Sequence, residues 1–232
     1  MDREWAEYFL EWSETCEFNK KLDEAKKIVK EALSKFKKPY IAFSGGKDST
    51  ALLHLVLSFD KNITVVHWDY GPYFVPRYIE KEIINIAKKC GAKNVIILTS
   101  HLYRKLGRKA KNVLGRHFLG IEVPKLAKSG YDCAFLGLRA EESVKRKIRT
   151  KRYFEKDEKT GITNVFPLGN WSWRDVWAYI VKNNIPYLSL YDKYGPLLGY
   201  DKARFVTLFD PEFSHFGAEN VDKFLMWKYF KP

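Results

Sequence analysis

The sequence of 232 residues contains no glutamine and only three cysteines, Cys16, Cys90 and Cys133. No two of these cysteines are close in the chain, which argues against a disulfide framework and against a zinc site with four cysteine ligands. The sequence also lacks an apolar run of the roughly 18 residues that a transmembrane helix needs. Its N-terminal residues are acidic and do not follow a signal-peptide pattern, so we expect a cytoplasmic protein that does not bind a membrane.

Positive charge is concentrated in one part of the chain. The whole sequence carries a formal net charge of +13, and residues 101–152 contain fifteen Lys and Arg but only four acidic residues. Such a concentration indicates a polyanionic ligand: a nucleotide, a phosphate-rich substrate or RNA. A solvated, lysine-rich surface is the alternative interpretation. No RNA-binding motif accompanies the segment, so RNA remains a partner that we do not favour.

Short apolar segments alternate with longer amphipathic ones along the chain. The short segments predict strands at 40–43, 63–68, 95–98 and 133–138. The longer segments predict helices at 5–12, 21–36, 50–59, 78–90, 118–128, 173–183 and 219–230, with a charged loop from 140 to about 163. Strands separated by helices indicate βαβ crossovers, and therefore an α/β fold with a doubly wound, mostly parallel sheet.

The sharpest motif lies between the first predicted strand and the next helix, and it reads Ser44-Gly45-Gly46-Lys47-Asp48-Ser49. We expect both glycines to adopt positive φ, so that backbone amides and the helix N-terminus approach a phosphate closely. The two serines add hydroxyl donors and the lysine adds a full positive charge. The spacing matches neither the Walker P-loop nor the dinucleotide fingerprint. A strand-to-helix turn that binds no ligand is the alternative.

This motif resembles the SGGxDS pyrophosphate loop of the adenine nucleotide α-hydrolase-like ATP pyrophosphatases. Three later blocks narrow the resemblance to the branch that contains phosphoadenylylsulfate (PAPS) reductases, ATP sulfurylase small subunits and FAD synthetases. These blocks are His67-Trp68-Asp69-Tyr70-Gly71, Gly137-Leu138-Arg139-Ala140-Glu141-Glu142-Ser143, and a downstream block with Phe166-Pro167-Leu168, Asp175-Val176-Trp177 and Leu190-Tyr191-Asp192. The resemblance implies a PAPS reductase-like domain at 38–200, an N-terminal helical appendage at 1–37 and a helical C-terminal extension at 201–232.

The resemblance also implies site residues. We expect Lys47, Asp48 and Arg139 to be catalytic, with Arg139 projecting over the carboxyl edge of the sheet to bind a phosphate or sulfate. Ion pairing of Arg139 with Glu141 or Glu142 is the alternative. Nucleotide binding is expected from Ser44, Gly45, Gly46, Ser49, Asp69, Glu142 and Arg146. Asp48 and Asp69 are the carboxylates that we expect to hold Mg²⁺. Either acid can instead be structural, Asp48 in the first helical turn and Asp69 in a turn before Gly71.

The reductases of this branch carry a catalytic cysteine in a Glu-Cys-Gly tail, and the iron–sulfur members carry Cys-x-x-Cys. In this sequence no cysteine follows Cys133, and Tyr200 and Ala203 stand where that pair would align. A thiolate is the nucleophile in reductive sulfonucleotide cleavage. The sequence therefore predicts a protein without an iron–sulfur cluster and weakens a reductase assignment.

The function that we expect from the sequence is ATP cleavage at the α–β bond. The enzyme would be a nucleotidyltransferase that uses ATP and Mg²⁺ to adenylylate a small anionic acceptor, sulfate or an FMN-like phosphate, with release of pyrophosphate. Reduction of adenylylsulfate or phosphoadenylylsulfate is the first alternative. A nucleotide- or RNA-binding module without turnover is the second. A partner subunit or a homo-oligomer is compatible with each of them.

Overall fold

The computed structural model describes residues 1–72, 75–106 and 114–205, and a six-stranded sheet lies at its centre. The strands are β1 (Pro39–Phe43), β2 (Thr64–Asp69), β3 (Asn94–Thr99), β4 (Cys133–Phe135), β5 (Phe154–Lys156) and β6 (Thr163–Val165). Their spatial order is β3-β2-β1-β4-β6-β5, and every neighbouring pair is parallel except β5 with β6. This arrangement confirms the predicted α/β fold with a doubly wound, mostly parallel sheet.

Ten α-helices connect or flank these strands in the described residues. They are α1 (Arg3–Ser13), α2 (Cys16–Lys35), α3 (Lys47–Leu57), α4 (Arg77–Lys89), α5 (His101–Leu106), α6 (Leu114–His117), α7 (Val123–Lys128), α8 (Val144–Thr150), α9 (Trp173–Lys182) and α10 (Leu190–Leu198). A π-helical turn covers Phe118–Glu122 and a 3₁₀ turn covers Ala140–Glu142. None of the helices within the described ranges is long and apolar enough to cross a membrane.

Both faces of the sheet are buried at its centre, as alternation along β1 shows. Ile41 and Phe43 belong to the larger core cluster, whereas Tyr40, between Pro39 and Ile41, belongs to the smaller cluster on the other face. Successive side chains of a strand point to opposite faces, so a continuous apolar strand needs cover on both. Helices α3, α4, α9 and α10 contribute to the larger cluster, and α7 contributes to the smaller one.

The first two helices share the larger core cluster. Phe9 of α1 and Phe18 of α2 are fully buried there, together with Trp171 and Trp177. The ring of Phe9 stacks on that of Trp177 at 6.2 Å, and the ring of Phe18 lies 6.1 Å from that of Trp171. The helical segment at the N-terminus is thus packed into the core of the domain, although we expected an appendage.

The segment from 140 to 163, expected as a charged loop, contains α8 and the β5–β6 pair. Ser143 caps α8, since its Oγ accepts from the backbone N–H of Arg146 at 3.1 Å. Each strand is three residues long with one apolar residue, Phe154 in β5 and Val165 in β6, so neither carries an apolar alternation that sequence reasoning could detect. Strand β4 ends at Phe135, three residues earlier than predicted. The predicted helix at 219–230 lies outside the described residues.

The strand order places a topological switch between β1 and β4. The chain continues from β1 to β2 on one side and from β4 to β5 and β6 on the other, so the loops after β1 and β4 diverge. In open α/β sheets, ligands bind in the crevice beyond the carboxyl ends of the strands at such a point. The Ser44–Ser49 motif follows β1, and the segment around Arg139 follows β4, so both lie at this crevice.

Candidate functional site

The loop after β1 is shaped by two glycines with different conformations. Gly45 has φ +83°, and a Cβ placed on it would lie 2.5 Å from Cγ1 of Ile83 in α4. Gly46 has φ −68° and is the N-cap residue of α3, so our expectation of positive φ at both glycines is wrong for Gly46. Because the glycine accepts the N-cap conformation, α3 begins at Lys47, earlier than the sequence pattern indicated.

The two serines of the motif contact each other across the loop. Ser44 Oγ lies 3.1 Å from Ser49 Oγ, and the backbone N–H of Ser44 donates to Ser49 Oγ at 3.3 Å. Ser49 Oγ in turn donates to the carbonyl of Gly46 at 2.9 Å. These bonds fold the loop back over the first turn of α3 and place both hydroxyls at the crevice.

Tyr191 of α10 closes the loop from the opposite side. Its hydroxyl accepts from the backbone N–H of Lys47 at 3.0 Å and from that of Phe205 at 3.1 Å. Burial raises the pKa of this phenol well above its ordinary value, so the hydroxyl stays neutral. The tyrosine therefore joins the start of α3 to residues 203–205.

Lys47 points into the protein and does not line the crevice. Its side chain is fully buried, and Nζ lies 3.4 Å from the carbonyl of Ala203 and 3.5 Å from Oδ2 of Asp48. Burial holds the pKa of this ammonium below its ordinary value. Lys47 therefore reaches the crevice only indirectly, by pairing with Asp48, whose side chain lines it.

Arg139 is likewise buried, beneath the crevice. Its Nε donates to Oδ1 of Asp48 at 2.5 Å, and its Nη1 pairs with Glu141. Burial opposes the charged forms, but the pairing dominates: the pKa of Asp48 is lowered and that of Arg139 is raised. The expectation that this guanidinium projects over the sheet edge is not met, and ion pairing, the alternative, is what the structure contains.

Glu142 forms ion pairs with the two arginines that line the crevice. Its carboxylate pairs with Arg146 of α8, and its Oε1 lies 3.5 Å from Nη1 of Arg204. The side chain of Glu142 is 5 % exposed and that of Arg146 is 8 % exposed, whereas Arg204 is 26 % exposed. Glu142 thus holds two guanidinium groups at the crevice, where an anionic ligand can meet them.

These residues enclose a cavity of about 220 Å³, which we call the basic cavity. Its lining consists of Ala42, Ser44, Gly46, Asp48, Ser49, Leu136, Gly137, Leu138, Glu142, Arg146, Tyr191, Arg204 and Phe205. A Cβ on Gly137 would lie 3.1 Å from the backbone of Asp48 and Ser49, so the β4 loop packs directly on the first turn of α3. Backbone amides of that turn carry partial positive charge, which favours an anion.

A second, apolar cavity of about 140 Å³ adjoins the basic cavity. The two share Ala42 and Ser44, and the second is otherwise lined by Phe43, Val66, Trp68, Tyr70 and Phe118. Trp68 presents a large ring there, tilted against that of Phe118 at 5.1 Å. The arrangement suits a flat aromatic ring that is joined to an anionic group.

Asp69 lies apart from the other expected site residues. Its carboxylate pairs with both terminal nitrogens of Arg77 at 2.7 and 2.8 Å and accepts from the N–H of Gly71 at 2.7 Å. Burial by itself would raise the pKa of Asp69, but the bonds from Arg77 and Gly71 hold that pKa below its ordinary value. It lines a surface cleft beside α4, not the basic cavity.

The expected magnesium site is therefore not assembled. Asp48 and Asp69 line different cavities, and each carboxylate is paired with an arginine. Among the described residues, no group of three or more His, Cys, Asp or Glu side chains is placed to hold a metal ion. The two carboxylates as arranged do not fit Mg²⁺.

Comparison with known proteins identifies the family. A model of the phosphoadenosine phosphosulfate reductase domain matches residues 38–208. This chain belongs to that family. The predicted membership of the PAPS reductase family is thereby confirmed.

Two curated proteins and one solved structure illustrate what the chain resembles. Adenosine 5′-phosphosulfate reductase 2 of Bacillus subtilis (strain 168) is 30% identical over 167 residues, which are 68% of this chain and 69% of that protein. Adenosine 5′-phosphosulfate reductase of Lysinibacillus sphaericus is 29% identical over 166 residues, 68% of this chain and 70% of the relative. The crystal structure of PAPS reductase from Candida auris, a phosphate complex, superposes with a TM-score of 0.57 and covers 83% of this chain and 92% of that chain. At 18% sequence identity, this superposition supports the fold alone.

The cysteines of this family member lie away from the basic cavity. In the described part of the chain no cysteine lines either cavity. Burial raises the pKa of the Cys90 thiol to about 11 and that of Cys133 to about 12, so neither is a reactive thiolate at neutral pH. Cys16 is exposed at the start of α2.

Tyr191, Arg204 and Phe205 are among the residues of the basic cavity that sequence reasoning missed. Tyr191 stands in the Leu-Tyr-Asp block that resembles the family, yet nothing local indicates that its hydroxyl reaches Lys47. Arg204 and Phe205 follow residue 200, where we expected an extension outside the domain. The family match, which continues to residue 208, is the signal that could have included them.

Proposed function

We propose that the chain is a sulfonucleotide-binding enzyme of the reductase type, acting on adenosine 5′-phosphosulfate or its 3′-phosphorylated form. The observation that carries the proposal is the pair of adjoining cavities. The apolar cavity suits the adenine ring, and the basic cavity suits the phosphosulfate group. The relatives that bear the name adenosine 5′-phosphosulfate reductase support the same substrate class.

The charge around the basic cavity favours an anionic ligand. In the described residues, Lys47, Arg139, Arg146 and Arg204 face three carboxylates, those of Asp48, Glu141 and Glu142. The small positive excess lies at the rim, because Lys47 and Arg139 are buried under Asp48. Arg146 and Arg204 are placed to neutralise charge on the departing adenosine 5′-phosphate, where a charge-assisted bond is worth about 1.5–3 kcal/mol.

The thiol for the reaction comes from a second molecule in this proposal. A thiolate attacks the sulfur of the phosphosulfate, the sulfur–oxygen bond to phosphate breaks, and adenosine 5′-phosphate leaves with the electron pair. A second thiol then displaces sulfite and forms a disulfide, so a dithiol supplies both electrons. The positions of Cys16, Cys90 and Cys133, none of which lines the basic or the apolar cavity, favour an external dithiol.

Adenylyl transfer from ATP is the second candidate. The lack of a cysteine in the lining of the basic or the apolar cavity also favours it, and the helix N-terminus at Lys47 suits a pyrophosphate leaving group. Sulfate or an FMN-like phosphate would be the acceptor, and Mg²⁺ would enter bound to ATP, because Asp48 and Asp69 do not form a joint site.

Product analysis separates the two candidates. With adenosine 5′-phosphosulfate and dithiothreitol, we expect release of sulfite and adenosine 5′-phosphate in equal amounts. With ATP, Mg²⁺ and sulfate or FMN, pyrophosphate release above the acceptor-free rate would support adenylyl transfer instead. RNA retention that falls steeply with salt, without turnover of either nucleotide, would support the binding-module alternative.

A matched pair of variants on α8 tests the site itself. Arg146→Ala removes a buried guanidinium from the cavity wall and should weaken binding of adenosine 5′-phosphosulfate about tenfold or more. Lys147→Ala, the next residue, removes an exposed charge and should change the affinity less than about twofold at 0.15 M salt. Isothermal titration calorimetry measures both. Equal losses in the two variants would place the ligand outside the basic cavity.

A further inference from the structure

A buried histidine lies directly behind the Ser44–Ser49 loop, outside both cavities. His67 of β2 is 2 % exposed, and its Nδ1 lies 2.8 Å from the carbonyl oxygen of Phe43, the last residue of β1. A carbonyl oxygen can only accept, so Nδ1 carries a proton and donates it to this bond. The two residues are in register in the parallel β1–β2 pair, which places the ring beside that carbonyl.

Glu80 of α4 holds the other side of the ring. Its Oε1 lies 2.7 Å from Nε2 of His67, and the carboxyl group is buried with it. Within the described residues, Oε2 of Glu80 has no hydrogen-bond partner. Burying a carboxyl oxygen without a partner costs free energy, so the bond to His67 is the polar contact that accounts for this placement.

The carbonyl of Phe43 belongs to the peptide unit that begins the loop. The same unit contains the N–H of Ser44, which donates to Ser49 Oγ. Because a peptide unit is planar, a bond at its carbonyl also sets the direction of its N–H. Rotation of this unit would break the contacts to His67 and Ser49 together and would move the hydroxyls that line the basic cavity.

Helix α4 contacts the loop at a second point, one turn beyond Glu80. Ile83 packs against Gly45 so closely that a Cβ there would lie 2.5 Å from its Cγ1. Residues three apart share one face of a helix, so Glu80 and Ile83 present a polar and an apolar contact side by side. The loop is thus held from behind by α4, through His67 at its start and through Ile83 at its centre.

We propose that His67 and Glu80 are positioning residues, which orient the Phe43–Ser44 peptide unit and thereby set the anion affinity of the loop. The proposal rests on the proposed nucleotide binding for its functional consequence. Neither side chain lines the basic cavity, so both act through the backbone and through Ser49. The residue that carries the effect is His67, and Glu80 keeps its ring in place.

Two substitutions at His67 separate the two contacts of the ring. The amide nitrogen of asparagine occupies about the position of Nδ1, and that of glutamine occupies about the position of Nε2. His67→Asn therefore keeps a donor for the Phe43 carbonyl, whereas His67→Gln keeps a donor for Glu80 and loses the carbonyl contact. We expect His67→Gln to bind adenosine 5′-phosphosulfate and adenosine 5′-phosphate about tenfold more weakly, with His67→Asn within about threefold of the wild type.

A second readout needs no ligand. Amide hydrogen exchange at residues 44–46 of the free protein should be faster in His67→Gln than in His67→Asn or the wild type. If the wild-type protein binds neither nucleotide, the proposed function fails, and this measurement still decides the positioning role. The control is His54→Gln. His54 lies on α3 and contacts the hydroxyl of Tyr179 on α9, so this substitution should leave both readouts unchanged.

The outcome that overturns the proposal is equality of the two His67 variants in exchange and in affinity. If His67→Gln does not fold, Glu80 supplies a second pair. Glu80→Gln can donate to Nε2 and should match the wild type, whereas Glu80→Ala leaves the ring unheld and should speed exchange at residues 44–46. Equal exchange in these two variants would also overturn it.

Discussion

At the scale of single residues, the adjacent glycines of the loop carry different constraints. Gly45 adopts a left-handed conformation and touches Ile83, so both its backbone and its missing side chain matter. Gly46 has an ordinary φ, and a Cβ on it would meet the carbonyl oxygen of Phe205 at 3.3 Å. A small shift of that neighbour would relieve the contact.

We therefore expect Gly45→Ala to lower the free energy of unfolding by about 2 kcal/mol or more, because positive φ alone costs a residue with Cβ about 1–2 kcal/mol. Gly46→Ala should cost less than about 1 kcal/mol, since its conformation is open to any residue. Urea denaturation of both variants measures the difference. A larger loss in Gly46→Ala would contradict the conformations described for the loop.

At the scale of elements, one carboxylate joins three helices. Asp175, in the first turn of α9, accepts from Trp12 Nε1 of α1 at 2.8 Å and from Lys21 Nζ of α2 at 2.9 Å. It also accepts from the backbone and hydroxyl of Ser172, the N-cap residue of α9. Burial would raise the pKa of Asp175, but these donors together hold it below its ordinary value.

A carboxylate with a lowered pKa stabilises the fold above its unfolded pKa, and the gain disappears as the pH falls through the folded value. Asp175→Asn should therefore lose about 2–3 kcal/mol at pH 7 and show a shallower loss of stability between about pH 5 and pH 3 than the wild type. Urea denaturation across this pH range tests it. Asp23→Asn is the control. Asp23 lies on the surface of α2, where it pairs with Lys26 while exposed to solvent, so this variant should follow the wild type. Parallel pH curves for Asp175→Asn and wild type would refute the account.

At the scale of the whole molecule, the N-terminal helices and the sheet share one core. Phe9 is fully buried among rings from α1, α9 and the segment after α10, whereas the next residue, Leu10, is 45 % exposed. A core of this kind unfolds cooperatively. The division into an appendage, a domain and an extension remains a prediction, but α1 and α2 are packed as integral parts.

Phe9→Ala should cost about 3–5 kcal/mol and shift the unfolding of the entire domain in one transition. Leu10→Ala should cost less than about 1 kcal/mol. Circular dichroism follows the unfolding of the whole domain, and amide hydrogen exchange compares α1 and α2 with β1 and β2. Exchange in α1 and α2 that becomes fast while β1 and β2 stay protected would show that residues 1–37 are an independent appendage after all.

The alternation of strands and helices and the position of the motif could be predicted from the sequence because both depend on nearby residues. Apolar periodicity marks β1 to β4, and the six residues from Ser44 to Ser49 carry their own turn and helix-start signals. The family blocks, too, are contiguous in the chain. Family membership and the doubly wound sheet followed from these local patterns. Strands β5 and β6, with one apolar residue each, carry no such signal.

The composition of the site was decided by tertiary packing, because it depends on which side chains the fold brings to the crevice. From the sequence we expected Arg139 to bind an anion and Asp69 to hold Mg²⁺, yet Arg139 is buried against Asp48 and Asp69 pairs with Arg77 at another cleft. Tyr191, distant in sequence, reaches the backbone of Lys47. A charged side chain is drawn to the nearest partner of opposite charge, and only the folded chain determines which partner is near.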